Sequence, residues 1–268
     1  DPRTEVGAVG YALNQLLDNV NSALEVRERT EHQIRAFIAD ASHELRTPLA
    51  AIKGYSDMLR WTEPLSESGQ SSLVRIDSQT ERMSRLVEDL LTLARIDERR
   101  ESKLAPFDLF NLAVDASNDA YATAPDRAVS LVGLNEEVAP TSATVLGDES
   151  RLRQVVANLL TNAMRYTPDG TPLEIAVGVR EEVAGFPLAT LEVRDHGPGI
   201  HGEDRERVFE RFYRTDTSRS RETGGTGLGL SIVAAIIEQH DGRIHIEETP
   251  GGGATFVISL PYYPPPIS

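Results

Sequence analysis

The sequence predicts an α+β chain of two modules. The first is a helical hairpin that pairs with a second copy into a dimeric four-helix bundle. The second is an α/β sandwich, a mixed sheet with helices on one face. Three observations predict this. The 268 residues amount to about 1.8 domains of roughly 150 residues. The first hundred carry apolar residues at alternating steps of three and four. After Arg99-Arg100-Glu101-Ser102 that period gives way to short β-type runs with helical stretches between them.

The helical half contains three apolar runs. Val6, Val9, Leu13, Leu16 and Val20 form the first. Ile34, Ile38, Ala41, Leu45, Leu49, Ile52, Tyr55 and Leu59 form the second. Leu73, Ile76, Thr80, Met83, Val87, Leu90 and Ala94 form the third. Steps of three and four are the seam of helices that pack in a bundle. The stretch from Trp61 to Gly69, with Pro64 and two serines, reads as a turn. Runs two and three therefore predict a hairpin over about 33–60 and 69–97, and two hairpins are needed to bury both seams. In the second half, strands are expected at 129–134, 173–180, 188–195, 243–248 and 255–260. Helices are expected at about 109–122, 149–165 and 228–240. The polar stretch Arg214 to Gly225 has little to bury and reads as a mobile loop over a site. The tail at 263–268, with Pro264-Pro265-Pro266, should be extended.

Composition narrows the function. Hydrophobic residues at 40% and charged residues at 26% suit a globular protein. Twenty-seven Lys and Arg stand against 42 Asp and Glu, a net charge of −15 that repels phosphate backbones and disfavours nucleic acid as a partner. Zero cysteines exclude disulfides, thiolate metal sites and cysteine nucleophiles. No run of about 18 apolar residues occurs, so no membrane-spanning helix is expected. The chain opens on Asp1-Pro2-Arg3 without a signal peptide and reads as a fragment of something longer.

Four motifs carry chemistry. In Ala41-Ser42-His43-Glu44-Leu45-Arg46-Thr47-Pro48-Leu49, His43 is two residues from both Ala41 and Leu45, so it points away from the seam. Thr47 shares its face, and Pro48 removes a backbone bond just beyond. A lone surface histidine is ordinary, but one beside a glutamate with a threonine one turn on is not. A neutral imidazole is also a usable nucleophile. In Asn158-Leu159-Leu160-Thr161-Asn162-Ala163-Met164-Arg165-Tyr166-Thr167-Pro168, two asparagines share a helical face with Arg165 three further on. They read either as buried paired amides or as hard oxygen donors for Mg²⁺ with a cation for phosphate. Asp195-His196-Gly197-Pro198-Gly199-Ile200 follows a strand. With Gly202 its glycines match dinucleotide-fingerprint spacing, but the strand that such a fold needs about 20 residues on is missing. Gly224-Gly225-Thr226-Gly227-Leu228-Gly229-Leu230 opens an apolar helix and is either a hinge or a phosphate cradle. Gly251-Gly252-Gly253-Ala254-Thr255-Phe256 alone reads as a hairpin turn. No P-loop sequence occurs.

In this order and spacing the motifs resemble the cytoplasmic half of a bacterial two-component sensor histidine kinase. The resemblance divides the chain into the end of a HAMP linker (1–30), a dimerisation and phosphoacceptor hairpin (31–100) and an ATP-binding domain like that of Hsp90, MutL and gyrase (101–262). It implies His43 as phosphoacceptor and Glu44 as its activating base. Thr47 would position water for dephosphorylating a response regulator. Asn162 would ligate Mg²⁺, with Asn158 and Arg165 beside it. Asp195 would accept from the adenine amino group, Tyr166 would flank the base, and Gly197 and Gly199 would shape its pocket. Arg214, ending Phe209-Glu210-Arg211-Phe212-Tyr213-Arg214, would contact the γ-phosphate. Gly225, Thr226, Gly227, Leu228 and Gly229 would close over the phosphates, and Thr255 would line the adenine pocket. ATP and Mg²⁺ are the implied cofactors, and a second copy and a response regulator the implied partners. A membrane anchor upstream of residue 1 is also implied. Arg165 stands where many relatives carry lysine, keeping the charge as a planar fork. The rival readings are an Hsp90/MutL-type ATPase and a catalytically degenerate dimeric scaffold.

Overall fold

The computed structural model describes residues 44–61, 66–96, 104–135, 138–181, 185–215 and 225–264, together with Leu13, Leu16, Leu17, Ile38, Ala41 and Ser42. The chain divides into two compact units, Asp1–Ala94 and Arg95–Ser268.

In the first unit, helix α1 (residues 44–61) runs without interruption through Pro48, and α2 spans Glu67–Ile96. Ser66 starts α2: its Oγ accepts from the Gly69 N–H at 3.2 Å, satisfying an otherwise orphaned donor. Glu67 in the first turn suits the positive end of the helix dipole. Leu49, Val87 and Leu91 form the buried cluster of the hairpin. Antiparallel register is held by Lys53–Glu81 at 3.4 Å and by Ser56 and Arg60, both bonded to Asp77. The α2 seam splits by heptad. Leu73, Thr80, Val87 and Ala94 are buried, whereas Ile76 and Met83 are exposed, as are Leu45, Ile52, Tyr55 and Leu59 on α1. Thr80 sits in the buried row at no polar cost, because its hydroxyl donates to the Ile76 carbonyl at 2.8 Å.

The second unit contains β1 (Ala105–Asp108), α3 (Leu109–Thr123), β2 (Val129–Val132), β3 (Thr144–Gly147) and α4 (Glu149–Tyr166). After these come β4 (Leu173–Glu181), β5 (Pro187–Asp195), the short α5 (Asp204–Arg207), α6 (Gly229–Gln239), β6 (Arg243–Glu248) and β7 (Ala254–Pro261). The five-stranded sheet has the order β2-β4-β5-β7-β6. β2 is parallel to β4 and the remaining pairs are antiparallel. This is the mixed sheet that the sequence predicts. β1 and β3 pair separately, antiparallel. The sequence does not predict them, because four residues each, one strand holding Pro106, leave no alternation to read.

The register puts Leu191, Val193 and Asp195 of β5 on one face with Ile175 of β4 and Phe256, Ile258 and Leu260 of β7. Leu152, Val155, Val156 and Leu159 of α4 and Ile232 and Ile236 of α6 are buried on the same core. The opposite face is polar. There the buried Glu192 accepts from Arg180 at 2.8 Å and from Arg194 at 2.7 Å, a pairing that a charge this deep requires.

Two caps fix the helices beneath the sheet. Asp108 starts α3, accepting from the Phe110 and Ala143 amides at 2.9 and 2.8 Å. Burial alone would raise its carboxyl, but these bonds and one from Ser142 outweigh it and hold the group below its ordinary value. His240 ends α6. Its Nδ1–H donates to the Ile236 carbonyl at 2.7 Å, and its Nε2 accepts the Asp148 N–H at 3.0 Å. The buried imidazole thereby joins the end of α6 to the start of α4 as a neutral tautomer.

Candidate nucleotide site

Asp195 is the last residue of β5 and 7% exposed. Its Oδ1 accepts from the Gly197 N–H at 2.9 Å and the Ala254 N–H at 3.2 Å. Among the described residues nothing donates to Oδ2, so that oxygen is the free acceptor. Burial pushes the carboxyl above its ordinary range, and the two amides and the neighbouring His196 offset part of the rise. The group is therefore acceptor-only when ionised, sits in a weakly solvated place and is fixed from one side.

Backbone approaches that only glycine permits build the walls. Gly253 has φ +120°, and a Cβ there would stand 1.9 Å from the Asp195 carbonyl oxygen. A Cβ on Gly199 (φ +74°) would meet the Gly253 carbonyl at 3.0 Å, and one on Gly197 would meet the Thr167 methyl at 2.6 Å. The end of β5, the β6–β7 turn and the C-terminal end of α4 thus converge on one spot.

Along α4, Asn158 and Asn162 are one turn apart and half-buried, followed by half-buried Arg165 and Tyr166. Asn158 Nδ2 is buried with no hydrogen-bond partner among the described residues, a costly arrangement unless something else satisfies it. Gly225 also reaches this helix: a Cβ on it would lie 2.8 Å from Arg165 Nη1 and 3.7 Å from the Tyr166 hydroxyl. The Phe212 N–H donates to the Gly227 carbonyl at 2.9 Å. That bond ties the two ends of the expected loop together, with Phe212 in the left-handed region at φ 64°. The Leu228 N–H donates to Thr226 Oγ1 at 3.2 Å, Leu228 is fully buried, and Gly229 starts α6. Arg214 is half-buried just past Phe212.

The structure thus brings together Asp195, Gly197 and Gly199, and beside them Arg165, Tyr166 and Gly225. It does not bring Thr255 to Asp195. Thr255 pairs with Arg194 across β5–β7, so its side chain leaves the opposite face, where its hydroxyl bonds Thr249 Oγ1 at 2.9 Å. The group that reaches Asp195 from this strand is the Ala254 amide. Glu44 and Thr47 are exposed on α1. His43 and residues 216–224 of the expected loop lie outside the described residues. Sequence reasoning missed Ala254 and the closeness of Gly253, for which the glycine triplet was the available signal. It also missed Arg127 and Thr167 under the pocket, which no local pattern marks. An open cleft of about 420 Å³ lined by Arg180, Leu188, Arg243, Ile244, His245 and Ser259 contains none of these groups.

Comparison with known proteins places both halves of the chain in known families. Residues 33–99 match the His Kinase A (phospho-acceptor) domain, and residues 147–264 match the histidine kinase-, DNA gyrase B- and HSP90-like ATPase family. The chain is 45% identical over 262 residues to the Probable sensor histidine kinase TcrY of Mycobacterium tuberculosis, covering 97% of this chain and 53% of that protein. It is 41% identical over 263 residues to the sensor histidine kinase TrcS of the same organism, covering 97% and 50%. Among solved structures, full-length ShkA in complex with AMPPNP superposes with a TM-score of 0.66 at 28% identity, over 85% of this chain and 46% of that one. The chain spans about half the length of the curated relatives it matches. With a phosphoacceptor hairpin followed by an ATPase fold whose pocket closes on a buried aspartate, the chain belongs to the bacterial two-component sensor histidine kinases.

Proposed function

We propose that this chain binds ATP between β5 and α4, transfers its γ-phosphoryl group to His43, and passes it on to an aspartate of a response regulator. The observation that carries the reading is Asp195: a buried carboxylate with Oδ1 saturated by two amides and Oδ2 left to accept the adenine amino protons. Tyr166 flanks the base. Arg165 beside Gly225 supplies positive charge where the phosphates would extend along α4, and Arg214 is the γ-phosphate contact. In the transfer, a ring nitrogen of His43 bonds to the γ-phosphorus as the bond to the β–γ bridging oxygen breaks. ADP leaves and Glu44 takes the imidazole proton.

The residues present fit a magnesium nucleotide. The uncompensated Asn158 amide and the half-buried Asn162 one turn away provide hard polar groups on the face of α4 that would meet the phosphates. Asn162 is the residue that would hold Mg²⁺, which supplies neutralisation of the charge on the phosphate oxygens. Among the described residues no cluster of three His, Asp or Glu exists to hold a metal alone, so the ion would arrive with its nucleotide.

The exposed apolar row of Ile52, Tyr55, Leu59, Ile76 and Met83 supports a homodimer through the hairpin, each large side chain contributing roughly 1.5–3 kcal/mol when sequestered. Residues 1–30 fit the end of a HAMP linker in this reading, with a membrane anchor upstream. No described helix is long and apolar enough to cross a membrane. The decisive experiment is incubation with Mg-ATP. Acid-labile, alkali-stable phosphate should appear on a species of twice 29.4 kDa by light scattering and vanish in His43→Gln and Asn162→Ala. Hydrolysis without label would leave an ATPase of the Hsp90 type, and a monomer at micromolar concentration would remove the dimer.

Thr47 is exposed on α1, and the helix that the sequence predicts back through His43 would set the two about 6 Å apart along its axis. There its hydroxyl orients a water against a regulator's aspartyl phosphate and is too far along to assist attack on ATP. Thr47→Ala should therefore slow loss of label from phosphorylated regulator by about tenfold or more and leave autophosphorylation unchanged. A parallel fall in both activities would make Thr47 structural.

A further inference from the structure

Arg127 lies in the turn between α3 and β2 and is only 5% exposed, yet the reaction proposed above does not use it. An arginine this deep must have partners. Its Nη1 donates to Thr167 Oγ1 at 2.6 Å and its Nη2 to the Pro168 carbonyl at 2.9 Å. Asp169, 4.0 Å away and fully exposed, adds little.

Thr167 closes α4. Its backbone N–H and its hydroxyl both go to the Ala163 carbonyl, at 3.2 and 2.6 Å. With the hydroxyl donating to Ala163 and accepting from Arg127, the rotamer is fixed and the methyl is left facing Gly197. A Cβ on Gly197 would stand 2.6 Å from that methyl and 3.1 Å from Asp195 Oδ1. Gly197 in turn gives its N–H to that same oxygen. The contacts form one continuous line: guanidinium, threonine, glycine, carboxylate.

We propose that Arg127 is a positioning residue for recognition of the adenine base. Its guanidinium locks Thr167 so that the threonine methyl is the wall against which Gly197, and through it the Asp195 carboxylate, is held. The inference rests on the reading of this pocket as an ATP site. It deepens that reading because the placement of Asp195 decides which purine enters. Adenine offers an amino donor to the carboxylate, whereas guanine offers a carbonyl oxygen at the same place and is repelled.

The test uses the whole chain and isothermal titration with ATP and with GTP. Arg127→Met should weaken ATP binding about tenfold, the scale of losing one hydrogen bond from a charged donor, while GTP affinity stays within about twofold. Discrimination between the purines therefore falls. Arg127→Lys, which keeps the charge and one bond, should restore part of it. Should Arg127→Met fail to fold, Thr167→Val breaks the same bond from the other end and carries the same expectation. A steric pair completes the test. Gly197→Ala should weaken ATP binding by about 100-fold, and adding Thr167→Ser, which removes the methyl in the way, should recover at least about tenfold over Gly197→Ala. Equal losses for ATP and GTP, or no recovery in the double variant, would overturn the proposal while leaving the ATP site standing. Wild-type chain that binds no ATP would overturn both.

Discussion

Asp195→Asn should abolish ATP binding, and autophosphorylation with it, without weakening the fold. The two amides that bond Oδ1 can bond the amide oxygen of asparagine equally well, so the local structure survives. The other position then carries an NH₂ where Oδ2 stood. It faces the adenine amino group donor to donor, and a buried polar mismatch of this kind costs about 100-fold in affinity or more. Stability moves the other way. Burial holds the Asp195 carboxyl above its ordinary value despite the two amides and His196, so the folded chain holds that proton more tightly than the unfolded chain does. Ionising the group is a cost to folding that appears as pH rises from the unfolded carboxyl value through the raised folded one and persists above it. Asparagine cannot ionise and escapes the cost. Thermal unfolding should therefore show the variant at least as stable as the wild type at neutral pH, with the gap closing as the pH falls through that window. Titration with ATP at the same pH should show no binding. An Asp195→Asn variant that binds ATP like the wild type would move the adenine contact elsewhere.

The particular residues show what the linear sequence reveals of this site and what it hides. The hairpin seams and the strands β4 to β7 were legible because apolar period is a local property. The predicted edges at 173–180 and 243–248 fall within one residue of those observed. Asn158 and Asn162 stood out because two asparagines on one face of a mid-helix segment call for a reason, whereas a role for Asp195 came only from the family resemblance. β1 and β3 were not legible, since each is too short to show a period and becomes a strand only by pairing with the other. The inward or outward direction of Thr255 was hidden for a different reason. One residue of register decides the face of every side chain in a strand, and that register is set by Arg194 on β5, about 60 positions earlier. Arg127 was invisible because the burial of a charged residue depends on where the end of α4 returns in space. The seam illustrates the limit within the hairpin as well. Periodicity named Leu73, Ile76, Thr80 and Met83 alike, but only the three-dimensional hairpin separates the inward row of Leu73 and Thr80 from the exposed row of Ile76 and Met83.

The β6–β7 turn supplies the largest expected loss of stability. Gly251, Gly252 and Gly253 have φ of 87°, 106° and 120°, and the turn closes with the Gly252 N–H on the Thr249 carbonyl at 2.9 Å. Its purpose is geometric: it returns the chain so that the Ala254 N–H meets Asp195 Oδ1. Alanine at Gly251 or Gly252 adds a Cβ with nothing within 4 Å, so the cost is backbone strain alone, about 1–3 kcal/mol. Alanine at Gly253 meets the Asp195 carbonyl oxygen at 1.9 Å, its carbon at 2.7 Å and the His196 Cα at 2.8 Å. All three are backbone atoms, so no side chain can swing aside and the end of β5 must move. Strain and displacement together should cost about 4 kcal/mol or more, or at least about 8 °C in melting temperature for a unit of this size. The ATP site should be lost even where the chain remains folded, because the atoms displaced are those that carry Asp195. Measured side by side, Gly251→Ala should melt closer to the wild type than Gly253→Ala does and still bind ATP. If Gly253→Ala behaves no worse than Gly251→Ala, the turn does not press on β5, and the two-amide anchorage of Asp195 is not what shapes the pocket.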